Sequence, residues 1–376
     1  MLPSWYPSPS SPQDGIFIFE QVKALQQSGL AVAVLHGSFQ YRHLFKATEA
    51  NFSIEAEVPT FRAKGFFPPK INTKLIEAWA RQHFSLFEQY LEQFGRPDLL
   101  HAHSYLAGAV AWQLSQRYDI PYVLTEHLFR FLTEEVRLRH RKLVRKVYDG
   151  ASGLIAVSTA LQTKMQAYTQ TKIEVIPNLV DTEIFRSLGS VQEKRESPIF
   201  VSVGHLTVTK GYDILIEAFS QFNARRSDNP VLKIIGAGTT RASLQKQIQR
   251  LGLTDSVFLL GAQDQKTVIE ILQTASCFVS ASRVETFGVA IIEALALGLP
   301  VIATRCGGPE EIVRPIVGQL VPIEDAKALA EAMRKVEDQN YDPKVIQNYI
   351  EARFSRAVVV NELCSFYKNV LNSSSS

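Results

Sequence analysis

The sequence predicts an α/β protein made of two Rossmann-like units in tandem. Short apolar runs alternate with longer helix-periodic stretches along most of the chain, the pattern of parallel sheets covered by helices. The alternation breaks once, at residues 182–198, where a charged stretch ending Glu193-Lys-Arg-Glu-Ser-Pro198 reads as a linker, and then it restarts.

In the first half the strand candidates are Ala31–His36, Leu99–His101, Tyr122–Thr125, Gly153–Val157 and Ile173–Ile176. The helix candidates between them are Gly15–Ser28, Leu75–Phe94, Ala107–Tyr118, Glu134–Tyr148 and Ser158–Ala167. In the second half, strands Ile199–Val203, Val231–Ile235, Val257–Leu260, Cys277–Ser280 and Val301–Ala303 alternate with helices Tyr212–Asn223, Arg241–Leu251, Lys266–Thr274 and Ala290–Leu297. From about Ala326 the chain reads as helical, and Ser373–Ser376 as a frayed tail. The start is unusual. Met1-Leu-Pro-Ser4 resembles the last two residues of a strand and its loop. A doubly wound unit holds its first strand centrally. Its loss would orphan neighbouring backbone groups at about 1–3 kcal/mol each. The natural product is therefore expected to begin a few residues upstream.

Composition narrows the function. A chain of 376 residues holds two or three domains, and 46% hydrophobic with 20% charged residues excludes general disorder. A net charge of +3 is too small to suggest nucleic-acid binding. Cys277, Cys306 and Cys364 show neither metal-site spacing nor a disulfide framework, which reads as a reducing compartment. No apolar run approaches the roughly 20 residues that span a bilayer, and no basic-then-apolar leader opens the chain, so a cytoplasmic location is expected.

The most informative segment is Glu285-Thr-Phe-Gly-Val-Ala-Ile-Ile-Glu293. It places one carboxylate in a loop and another about two turns into a helix. Eight residues span at most about 12 Å, roughly the reach from sugar to ribose in a nucleotide sugar. The helix start between them offers free N–H groups to a diphosphate. Ser202-Val-Gly-His-Leu206 ends a strand and Lys210-Gly211 opens the next helix, where a lysine suits a phosphate, although a solvated lysine is the plain alternative. Ile235-Gly-Ala-Gly238 permits close approach to a flat base, but alone it is a tight turn. With Leu260-Gly261, four successive strand ends carry loops compatible with a nucleotide on one rim.

These residues, with Gly307-Gly-Pro-Glu-Glu311, resemble the donor half of GT-B glycosyltransferases of family 4, which are retaining enzymes. The first half follows the family order through Pro3-Ser-Trp-Tyr-Pro7, Asp14-Gly-Ile-Phe17, His101-Ala-His-Ser104, Thr125-Glu-His127, Val157-Ser158 and Ile176-Pro-Asn-Leu-Val-Asp181. The resemblance implies two facing Rossmann-like domains with a deep interdomain cleft, residues 1–180 plus 355–376 on the acceptor side and 181–354 on the donor side. It implies a last helix that crosses back to the first domain, with hinges that close the cleft and exclude water. Glu293 would accept from ribose hydroxyls and Glu285 from hydroxyls of the transferred sugar. Backbone N–H groups of Phe287, Gly288 and Val289 would hold sugar or phosphate oxygens. Lys210 would neutralise the leaving diphosphate, Gly15 would let its backbone approach that group, and Gly236 would border the base. His127 would sit beside the reacting carbon. The reaction implied is metal-independent hexose transfer with retention, with no cofactor beyond the nucleotide sugar. The acceptor implied is a glycan or a lipid-linked sugar, in surface polysaccharide synthesis. One departure is His205, where the family usually has arginine; Lys210, Arg283 or Arg305 would then compensate.

Other residues have plainer readings. His101 and His103 are expected to point to opposite sides of their strand and to serve the core or a loop. The basic stretch Glu134–Tyr148 sets Arg137, Arg141 and Arg145 on one face, either a solvated helix or a weak, salt-sensitive contact with an anionic membrane surface. Trp5, Tyr6, Phe66 and Phe67 suit an acceptor platform or core packing equally. The rival functions are a nucleotide-sugar epimerase or hydrolase of the same fold, and an inactive nucleotide-sugar-binding subunit.

Overall fold

The computed structural model describes residues 1–9, 11–39, 50–65, 73–133, 136, 138–185, 197–224 and 226–374. The chain divides into two compact units, one formed by Met1–Leu179 with Arg356–Ser376, the other by Val180–Ser355.

Unit 1 contains, in chain order, β1 (Leu2–Pro3), β2 (Val34–Phe39), β3 (Ala50–Glu55), β4 (Val58–Gly65), β5 (Leu100–His103), β6 (Tyr122–Glu126), β7 (Gly153–Ala156) and β8 (Ile173–Val175). A parallel sheet runs β1-β5-β6-β7-β8, and a second sheet runs β2-β4-β3. The two-residue β1 pairs with β5 on one side. On the other side, the Leu35 N–H donates to Met1 O at 3.0 Å, and the Met1 amine donates to Ala33 O at 2.7 Å. Strand β1 therefore sits between β2 and β5. Residues of β5, β6 and β7 are buried on both faces, as a parallel sheet covered by helices requires.

The hairpin β3–β4 was not legible in the sequence. Its two turn residues, Ala56 and Glu57, have φ of 47° and 69°. A two-residue turn of this hand normally draws Asn-Gly, and Ala-Glu gives no such signal. The helix Arg356–Ser374 packs Val359, Leu363, Phe366 and Val370 into the same core as Val123 and Ile155. Each such side chain contributes about 1.5–3 kcal/mol by leaving water.

Unit 2 contains β9 (Ile199–Val203), β10 (Val231–Ile235), β11 (Val257–Gly261), β12 (Cys277–Ser280), β13 (Val301–Thr304) and β14 (Gly318–Val321). They form one parallel sheet in the order β11-β10-β9-β12-β13-β14. The order reverses between β9 and β12, and ligands of doubly wound sheets bind outside the carboxyl ends of the strands at such a reversal. Strand β14 is a further element without a sequence expectation. The core gathers Phe200, Leu215, Phe219, Leu232, Val279 and Ile302, with Leu329 and Met333 from the helix Ala326–Asp338.

Candidate active site

In unit 2, the strand reversal brings the loop after β9 against the loop after β12. Lys210 Nζ donates to Glu285 Oε2, 75 residues away in the chain. Both side chains are partly exposed, at 29% and 17%, so the pair lies on the rim and remains reachable. Gly211 makes this approach possible. Its φ is +62°, and a Cβ there would stand 2.0 Å from Ala281 O. Only glycine lets the lysine loop run so close to the end of β12.

Glu285 is fixed by its backbone as well. Its N–H donates to Cys306 O at 3.1 Å, and its carbonyl accepts from Gly308 N at 2.8 Å. The loop after β13 therefore forms one surface with the Glu285 segment. The helix Val289–Ala296 starts directly after Gly288, leaving its first N–H groups without a carbonyl four residues back. Phe287 is buried against Phe354, with ring centroids 5.7 Å apart. Glu293 is half-buried and is the fifth residue of the helix. It stands a little over one turn in, closer to the helix start than the two turns expected.

The other rim residues fall beside these. Gly236 N donates to Gly261 O at 2.8 Å, and Leu206 N donates to Ala237 O at 2.9 Å, so the loops after β9, β10 and β11 are tied in series. His205 is exposed on the first of them. Of Lys210, Arg283 and Arg305, the three residues expected to compensate for His205, Arg283 is the most heavily paired. Arg283 donates to both carboxylate oxygens of Asp213, to Glu324 and to Val208 O, so its charge is already balanced by two acids. Arg305 lies 3.9 Å from Glu310 in a largely exposed pair.

In unit 1, Gly15 has φ +71° and caps the helix Ile16–Gln27, and a Cβ there would lie 2.3 Å from Trp5 O. His127 follows β6 and is half-buried, with the Phe17 ring 4.9 Å from its own. Burial pushes its imidazole down to about 3, so the ring is neutral near pH 7. Glu126, completely buried beside it, accepts four hydrogen bonds. Oε1 takes the N–H of His127 at 2.9 Å and of Leu128 at 3.0 Å, and Oε2 takes Tyr105 N at 3.0 Å and the Tyr148 hydroxyl at 3.1 Å. Those donors favour the anion, but burial outweighs them and raises the carboxyl to about 7.

The placement of His101 and His103 is corrected. Their rings stack with centroids 4.4 Å apart, because residues two apart on a strand share a face. His101 joins the Tyr367 hydroxyl at 2.7 Å and Thr125 Oγ1 at 2.8 Å, and His103 Nδ1 meets His127 Nε2 at 3.0 Å. His103 is thus buried, as a core role requires, and is also a partner of His127. The spacing was available as a signal: adjacent parallel strands put His103 opposite Thr125, two residues before His127. Tyr6 is buried with Ile18 and Val22 in core packing, while Phe66, Phe67 and Arg137 lie outside the described residues. Among the described residues, no group of three or more His, Cys, Asp or Glu side chains converges as a metal site would, and no helix is long and apolar enough to cross a membrane.

Two doubly wound parallel sheets, one with a charged rim at its strand reversal, are the parts from which a GT-B fold is built. Comparison with known proteins agrees. A model described as Glycosyltransferase Family 4 matches residues 15–184, and one described as Glycosyl transferases group 1 matches residues 184–353. The chain belongs to the GT-B glycosyltransferases of family 4. It is 26% identical to TuaC of Bacillus subtilis (strain 168), a glycosyltransferase whose name assigns it to teichuronic acid biosynthesis, over 99% of this chain and 98% of TuaC. It is also 26% identical to a D-inositol 3-phosphate glycosyltransferase of Corynebacterium aurimucosum, over 73% of this chain and 72% of that one. Among solved structures, sucrose-phosphate synthase of Thermosynechococcus elongatus superposes with a TM-score of 0.75 at 22% identity, covering 95% of this chain and 93% of that one. Anabaena Alr3699/HepE in complex with UDP and glucose gives a TM-score of 0.73 at 20% identity, covering 97% and 98%.

Proposed function

We propose that this glycosyltransferase moves a hexose, with retention and without a metal ion, from a nucleoside-diphospho-sugar to a glycan or lipid-linked acceptor in surface polysaccharide synthesis. The observation that carries the reading is the Lys210–Glu285 pair beside the start of the helix Val289–Ala296. A dianionic diphosphate leaves in such a reaction, and a lysine with unpaired helix N–H groups stabilises charge where it develops. In this reading Glu285 holds hydroxyls of the transferred sugar, and Glu293 holds the ribose. The N–H groups of Phe287, Gly288 and Val289 hold sugar or phosphate oxygens, and Gly236 borders the base. His127 contacts the donor sugar and Gly15 the diphosphate. Attack on the face from which the diphosphate departs, with the leaving phosphate taking the acceptor proton, gives retention.

The test is acceptor-dependent release of nucleoside diphosphate from UDP-, ADP- and GDP-hexoses, in EDTA, with the anomeric configuration of the product read by NMR. Release without acceptor would favour a hydrolase, and inversion or abolition by EDTA would overturn the mechanism. A donor at about 100 times its dissociation constant should also stabilise the fold by roughly 2.7 kcal/mol. We further propose a weak peripheral contact with an anionic membrane surface through the basic helix Leu138–Asp149, where Arg141 and Arg145 are exposed. Co-sedimentation should rise with anionic lipid and fall with salt; equal binding to neutral vesicles would refute it.

A further inference from the structure

The histidines of unit 1 determine where one proton sits. His103 is completely buried at the end of β5, between the rings of His101 and His127, with centroids 4.4 Å and 5.3 Å away. Its Nδ1 lies 3.0 Å from His127 Nε2, and its own Nε2 has no hydrogen-bond partner among the described residues. A neutral imidazole has one donor and one acceptor. Burial holds both rings neutral, His127 at about 3 and His103 well below its ordinary value.

Two arrangements satisfy the contact. In one, His127 Nε2–H donates, and His103 must then carry its proton on Nε2, where a buried N–H has no acceptor. In the other, His103 Nδ1–H donates, and only a lone pair on Nε2 is left bare. Orphaned buried N–H groups are the rarer and costlier of the two. The second arrangement therefore prevails, and it requires His127 to carry its own proton on Nδ1.

We propose that His103 fixes His127 as the Nδ1–H tautomer, so that His127 meets a sugar oxygen as a neutral hydrogen-bond donor, and that His103 is a positioning residue for sugar transfer. The step into sugar transfer rests on the donor-contact role proposed for His127, whereas the tautomer rests on the burial of the two rings and on the hydrogen-bond geometry of His103. Glu126 supports the same arrangement from the backbone side by holding the His127 N–H at 2.9 Å.

The test is histidine 15N NMR on the full chain, with the His127 signal assigned by its loss in His127→Gln. His103→Phe keeps a ring of similar size and removes the donor. His103→Asn leaves a void but can place an amide N–H near the position of Nδ1. His127 should be the Nδ1–H tautomer in the wild type and in His103→Asn, and shift toward Nε2–H in His103→Phe. An Nε2–H form in the wild type overturns the assignment, as does an unshifted Nδ1–H form in His103→Phe. In acceptor-dependent turnover, His103→Phe should lose at least about tenfold in kcat and His103→Asn less. A purely structural role reverses that order, because phenylalanine fills the site and asparagine does not. If the NMR pattern holds while His127→Gln keeps full turnover, the role proposed for His127 fails and the tautomer assignment survives.

Discussion

The two units use the same topological reversal for opposite kinds of chemistry. In unit 2 the reversal between β9 and β12 carries a charged, partly exposed pair, Lys210 and Glu285. In unit 1 the corresponding place, between β1 and β5, is closed by a buried hydroxyl pair, Ser4 Oγ and Ser104 Oγ at 2.7 Å, with neutral histidines beside it. An exposed rim can hold charge because water screens it until a ligand arrives. A buried network has to be uncharged or fully hydrogen-bonded. The comparison separates groups suited to binding a charged leaving group from groups suited to orienting a neutral one.

Removing the charge on the rim should have the largest effect. Lys210→Ala should lower kcat by about 10²–10³-fold, the scale of deleting one preorganised electrostatic contact, and steady-state release of nucleoside diphosphate measures it. A loss under about threefold would mean that the rim charge contributes little to the reaction, against the contrast between the two units.

The buried side of the comparison is broken through Glu126. Its carboxyl is raised to about 7 in the fold from an ordinary 4.5. The stability associated with the protonated form is fully present below pH 4.5 and is lost as pH rises through about 7. The total is on the order of 3 kcal/mol. His127 acts in the opposite sense, its contribution being lost as pH falls from 6.5 toward about 3. That contribution is common to the wild type and Glu126→Gln and cancels in their difference. The difference in unfolding free energy, measured with urea between pH 4.5 and 8, should therefore shift toward the variant as pH rises. A flat difference would show that the four hydrogen bonds, and not burial, govern the carboxyl.

Within the rim, Glu293→Ala should weaken donor binding about tenfold to hundredfold, as expected for hydrogen bonds to a charged group. Glu285→Ala should chiefly lower turnover. Calorimetric donor binding and kcat, measured on both variants, would overturn the assignment if the pattern were reversed. His205→Arg should have the smallest effect, keeping or raising turnover by less than about fivefold at an exposed position. A large loss would mean that histidine itself does work there.

What the sequence revealed follows the same division. The rim was legible because its groups sit on consecutive strand ends, each marked by Gly, Lys or Glu in a short run. Strands β9, β10 and β12 were legible to the residue because they are short, mostly apolar runs, each with a single polar residue. The network around His127 was missed, although the pairing of β5 with β6 offered a signal for His103. His103 meets it through strand pairing across 24 residues, and Tyr367 meets His101 across 266. The hairpin β3–β4 was missed because Ala56 and Glu57 adopt a turn that their side chains do not announce. The ion pairs of Arg283 were not legible because Asp213 and Glu324 come from two other segments of the chain.

The most direct measurement of the central claim is nucleoside diphosphate release from a panel of UDP-, ADP- and GDP-hexoses, with and without a membrane-lipid and glycan extract as acceptor, for the wild type and Lys210→Ala side by side. The account predicts that the wild type consumes a nucleoside-diphospho-hexose only when acceptor is present, and that Lys210→Ala, folded and still able to bind nucleotide, loses at least about a hundredfold of that rate. Equal rates in the two proteins would contradict it.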